Sequence, residues 1–185
     1  MSALLAVAVP AFAAKPAKSE YKGALTIMYG DNHAFGVVPP EGWAVDDSSG
    51  INSKIRVVLY PIGQQWDTAP TVMYVNPLHQ VKGSDLTLKQ MIAKDVATFA
   101  EKAPKGKVTT RPTLKTAKAQ LAEVRWFSPT GGQPLEAVAY VAEDDLVMLL
   151  VLSARDAEGF KRHLPAFESL VASYQFVMGG VDTPR

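Results

Sequence analysis

The residues able to do chemistry are few and scattered. There are three histidines: His33 in the Gly30-Asp31-Asn32 turn, His79 in a loop after Pro77, and His163 beside Arg162 on a helical stretch. None has a His, Asp or Glu partner at metal-ligand spacing, and the chain has no cysteine, so a structural zinc site is not expected. Neither H-E-x-x-H nor G-x-S-x-G occurs, and no glycine-rich phosphate loop is present. Ser153 stands between strand and helix, where a nucleophile elbow would put its serine. Its flanks are Leu152 and Ala154 instead of glycines, so it reads as the approach to a helix. Two acidic groups remain. Asp46-Asp47-Ser48-Ser49-Gly50 lacks the alternation and closing Glu of a calcium loop and reads as a plain turn. Glu143-Asp144-Asp145 reads as a solvated hairpin turn. No catalytic residue, metal or cofactor is expected.

The aromatic residues are the better clue. Trp43, Tyr60, Trp66 and Tyr74 fall at strand ends or in loops of the first third and are the candidates for partner binding. Trp66 leads them, because Gly63-Gln64-Gln65-Trp66-Asp67 is polar and has no alternating apolar neighbours to demand its burial.

The elements that must position these residues are strands first, then helix, strands and helix. Leu25–Tyr29, Ala34–Val38, Trp43–Val45, Ile55–Tyr60 and Thr71–Val75 read as strands, the last closed by Asn76-Pro77. Leu88, Met91, Ile92, Val96 and Phe99 then recur at helical steps, with Thr87 and Gln90 at capping-box spacing, which predicts a helix over 88–102. Pro112 splits the next strand signal and marks an edge or a bulge. Strands follow over 120–127, 135–142 and 146–152, the last two apolar on both faces and so covered on both. Asp156 caps a second helix with the stripe Phe160, Leu164, Phe167, Leu170 and Val171, where Pro165 predicts a kink or a break. A short strand ends the domain at Tyr174–Val177. The pattern is α+β: a single, mainly antiparallel β-sheet flanked by helices.

Residues 1–13 read as a signal peptide. Ala3–Val9 is an apolar core, and Ala11-Phe12-Ala13 is a small-x-small pattern that places cleavage before Ala14. Residues 14–23 read as a flexible lead-in, 24–178 as one domain and 179–185 as a flexible tail. With no cysteine to carry a lipid, the exported chain is expected to be soluble, in a periplasm or secreted. Lys+Arg 19 against Asp+Glu 18 gives a net charge of +1, so nucleic acid is not an expected partner. No apolar run of the mature chain is long enough for a transmembrane helix.

Phe35-Gly36-Val37-Val38-Pro39-Pro40-Glu41-Gly42-Trp43 is similar to the F-x-x-x-x-P-x-G-W opening of the PsbP-like superfamily, which includes PsbP, a Ran-binding import factor and DcrB-type bacterial exported proteins. Leu146–Ser153 with Asp156, Phe160 and Phe167, then Ala172-Ser173-Tyr174-Gln175-Phe176, resembles its closing strand, helix and strand. The resemblance covers about residues 29–177. It implies an α/β/α sandwich and a non-enzymatic scaffold that binds a protein or an amphiphile, and it carries over no functional residue. An exported, non-enzymatic binding or accessory protein is therefore expected. The alternatives are a periplasmic hydrolase whose residues meet only in space, and a small amphiphile carrier with its cavity under the 88–99 stripe.

Overall fold

The computed structural model describes residues 23–30, 33–53, 55–79, 87–144 and 146–179. The expected signal peptide, most of the lead-in and the tail beyond Gly179 lie outside the described residues, as does Asp145. The strands are β1 (Thr26–Tyr29), β2 (His33–Val37), β3 (Trp43–Asp46), β4 (Val57–Pro61), β5 (Thr71–His79), β6 (Lys107–Lys115), β7 (Leu121–Ser128), β8 (Leu135–Ala142), β9 (Leu146–Ala154) and β10 (Gln175–Gly179). Helix α1 spans Leu88–Lys102 and helix α2 spans Ala157–Ser173. The architecture is the α+β one read from the sequence, with every strand pair antiparallel.

The strands form two sheets, not one: a seven-stranded sheet in the order β3-β4-β5-β9-β8-β7-β6 and a three-stranded sheet in the order β1-β2-β10. Strand periodicity reports which faces are buried but not which strands share a ladder, so this division had no sequence signal.

The two faces of the large sheet follow from period-two alternation. Leu146, Met148, Leu150 and Leu152 of β9 join Ala137, Ala139 and Val141 of β8 beneath Phe160, Phe167, Leu170 and Val171 of α2. Phe35 and Val37 of the small sheet close the same core. The intervening residues Val138, Tyr140, Val147 and Val151 face the other way, under α1. The expected coverage of both faces is observed.

Helix α1 starts where the capping box puts it. The Gln90 amide donates to Thr87 Oγ1 at 3.3 Å, and the Thr87 amide donates to Gln90 Oε1 at 2.8 Å. Helix α2 starts at Asp156, whose Oδ1 accepts from the Gly159 amide at 2.7 Å. Four details differ from expectation. Helix α2 runs unbroken through Pro165, because that residue and Lys161 are solvent-exposed and water can satisfy the carbonyl left without its amide partner. Strand β5 continues through Asn76-Pro77 to His79. Beyond Val75 it pairs only with β9, so Pro77 sits at an open edge where proline is tolerated. His79 is thus in a strand and not a loop. His33 opens β2 instead of sitting in the turn, buried and stacked on Phe35, with Gly30 supplying the space its ring occupies. Pro112 falls on edge strand β6 beside a register shift between Arg111 and Leu114, as expected.

Candidate binding cleft

Three of the four aromatic candidates come together on the α1 face. Tyr60, Trp66 and Tyr74 share an apolar cluster with Val58 and Ala69. Trp43 is on the opposite face, buried in the main core with its ring edge against His163 at 5.1 Å. Tyr60 is 8% exposed, and its hydroxyl donates to Asp46 Oδ2 at 3.0 Å. Trp66 and Tyr74 are half-buried and meet edge-to-face, with centroids 6.3 Å apart and planes at 88°.

Local chain geometry puts Trp66 there. Gly63, at φ +87, turns the chain out of β4 into a left-handed conformation that side-chain-bearing residues rarely adopt. The Gln64 amide donates to Pro61 O at 3.0 Å and the Ala69 amide to Gln65 O at 2.8 Å. The loop therefore curls back, buries Ala69 and lays the indole over Tyr74. Across from it, the β7–β8 loop turns on Gly131 and Gly132, at φ +97 and +83.

Between these two loops lies an open cleft of about 380 Å³. Val72 and Tyr74 of β5 and Ser153 of β9 form its floor, Trp66 and Pro134 border it, and Arg155 stands at the end of β9. Sheet register builds the floor from distant segments: Glu136, Ser153 and Val72 are cross-strand neighbours in one row, and Val138, Val151 and Tyr74 in the next.

The electrostatics of this face are unusual for a sheet interior. Burial pushes the Glu136 carboxyl above the usual range; a hydrogen bond from Ser153 opposes this, and the charge of Asp95 adds to it. Burial raises the Tyr74 phenol as well, helped by the negative charges of Glu136 and Asp95. The Tyr140 hydroxyl donates to Asp95, tying α1 to β8. Among the described residues, Arg155 is the one charged residue lining the cleft. Its backbone amide donates to Pro70 O at 2.9 Å, and its guanidinium donates to Asp67 O at 3.3 Å.

A smaller cleft of about 260 Å³ opens at the start of α2, lined in part by Thr71, Asp156, Glu158 and His163. Its carboxylates are committed locally, Asp156 to the helix cap and Glu158 to Arg162. Burial and the Arg162 charge hold the His163 imidazole below its ordinary pKa. The ring meets Trp43 edge-to-face, and no carboxylate hydrogen-bonded to it is found among the described residues.

In the two acidic groups, Asp46 and Glu143 are held by local hydrogen bonds. Asp46 accepts from the amides and hydroxyls of Ser48 and Ser49, at 2.5–2.9 Å. Desolvation alone would raise its pKa, but these hydrogen bonds outweigh it and hold the carboxyl far below the usual range. The same carboxylate and the burial around it push the Tyr60 phenol up to about 12, burial being the larger cause. Glu143 accepts from the Tyr174 hydroxyl at 2.8 Å, and its own pKa is raised, chiefly by burial. Among the described residues, no group of three or more His, Asp or Glu converges on one point. Nor is any helix among them long and apolar enough to cross a membrane.

No family model matches the chain, and no curated protein does. Among solved structures, the solution structure of cyanobacterial PsbP (CyanoP) from Synechocystis superposes with a TM-score of 0.55, at 11% identity, over 90% of this chain and 99% of that one. The fold is PsbP-like. At that identity the likeness speaks for the fold alone, and the residues lining the Trp66–Tyr74 cleft must be judged on their own chemistry.

Sequence reasoning missed Glu136, Ser153 as a floor residue, Pro134 and Arg155. Glu136 had a readable signal, since it is the single charge in a strand otherwise apolar on both faces. The others are named only by pairings that span the chain.

Proposed function

We propose that this is an exported, non-enzymatic binding or accessory protein that engages its partner through the Trp66–Tyr74 cleft. The observation that carries this reading is the half-buried aromatic pair bordering an open cleft between two loops of a rigid sheet. The signal-like segment before Ala14 supports export. The stripe Leu88, Met91, Val96 and Phe99 packs on the sheet around Val138 and Val151, which favours the surface cleft over a carrier cavity beneath α1.

Two measurements test the reading. Mass spectrometry of the protein from its own host should find an N-terminus at or near Ala14; an unprocessed cytoplasmic chain would overturn export. Trp66→Ala should cost about 1–2 kcal/mol of stability, as expected of a half-buried ring, while removing about 2 kcal/mol or more of affinity for the partner isolated with the native chain. A loss of about 3–5 kcal/mol in folding would instead assign the indole to the core.

A further inference from the structure

The cleft has a polarity that points to one class of occupant. Its border and floor are apolar around Trp66, Tyr74 and Val72, and among the described residues its only lining charge is the guanidinium of Arg155. Among the described residues no carboxylate forms an ion pair with Arg155; its one recorded side-chain partner is the Asp67 carbonyl. A guanidinium carries five N–H donors, so most of this fork remains open to a ligand. The backbone hydrogen bond to Pro70 fixes the residue at the strand end, and the bond to Asp67 O holds one guanidinium nitrogen there. Beside the floor, Glu136 is the cross-strand neighbour of Ser153 and accepts a hydrogen bond from it. Negative charge is thus favoured at the rim, beside Arg155.

We infer that the cleft receives the C-terminus of a partner polypeptide, with a large apolar last side chain against Trp66 and Tyr74 and the terminal carboxylate on Arg155. This rests on the cleft being the contact site, as proposed above. Charge complementarity selects a carboxylate, because arginine and carboxylate match as parallel two-pronged hydrogen-bond partners. Size selects a peptide end. About 380 Å³ lies near the lower limit of ligand sites and holds one or two large side chains, not a long acyl chain. Gly132 leaves its part of the rim without a side chain, so a peptide backbone can approach it.

The test is an NMR titration of the full chain, isotopically labelled, with N-acetyl-phenylalanine and separately with N-acetyl-phenylalaninamide at millimolar concentration. The acid should shift the Trp66 indole and the amides of Gly132 and Arg155, and should bind about fivefold or more tighter than the amide. Arg155→Gln should abolish that preference while leaving the weaker binding of the amide in place. Equal binding of acid and amide at the cleft would overturn the carboxylate assignment and leave the cleft reading intact. No shift at Trp66 with either probe would overturn both. Should Arg155→Gln disturb the spectrum beyond the cleft, the comparison of acid and amide on the native chain decides alone.

Discussion

Helices α2 and α1 lie against opposite faces of the same sheet, yet they are held there very differently. Helix α2 buries Gly159, Phe160, Phe167, Leu170 and Val171, and α1 buries Ile92 alone. Beneath α2 the sheet presents an unbroken apolar surface that also takes in Phe35 and Val37 of the small sheet. Beneath and beside α1 it presents Tyr74, Glu136 and Tyr140, with Asp95 of the helix bonded to one of them. One face spends its surface on the fold. The other is covered in two pieces, by α1 and by the Trp66 loop, and the cleft opens beside that loop, towards the β7–β8 turn. A sheet needs only one well-buried face to be stable, which leaves its second face free to carry partly desolvated polar groups.

The largest effect should come from the α2 side. Phe167→Ala should cost about 3–5 kcal/mol of unfolding free energy, against about 2 kcal/mol for Ile92→Ala. Urea titrations of the two variants measure this, and the reverse order would break the comparison. The caps give a smaller and sharper contrast. Asp156→Ala and Thr87→Ala should each cost about 1 kcal/mol. Hydrogen exchange should show the Asp156 variant lowering protection across the whole sheet and the Thr87 variant lowering it in α1 only. Equal, global losses would mean that α1 is part of the cooperative core after all.

The smallest effect concerns Glu136. Its folded-state pKa is raised above the unfolded value, so the stability it contributes is present in full below the unfolded pKa and is lost as pH rises through the folded one. Glu136→Gln stays neutral throughout. The variant's melting temperature should match the native chain's near pH 4 and exceed it by a margin that grows as pH rises and levels off above the folded pKa. Parallel curves would place Glu136 in water and remove the buried carboxyl beside the cleft floor.

Local signals were read well where local physics decides. The Thr87–Gln90 box fixed the start of α1, helical spacing fixed the stripes of both helices, and Pro112 marked the edge at β6. Proline misled as a stop signal, since neither Pro165 nor Pro77 ends its element. Pro165 is exposed in a helix packed on its far side, and Pro77 lies on a stretch with one neighbour strand. The cleft was half legible. Trp66 and Tyr74 stood out as aromatic residues near loops, but residues 55, 132, 153 and 155 join them only through loop placement and the pairing of β5 with β9. No window of sequence contains that information.

The same pairing has a kinetic side. Strands β3, β4 and β5 form a meander that lacks its next neighbour until residues 146–154 are made, and β2 waits for β10 in the same way. Both sheets are therefore completed by the C-terminal third, after the entropy of closing long loops has been overcome. A chain emerging N-terminus first stays open, with no finished sheet, until nearly all of it is available. Under the export proposed above, such delayed closure would keep the chain threadable through a narrow pore, with the last strands to arrive as the latch.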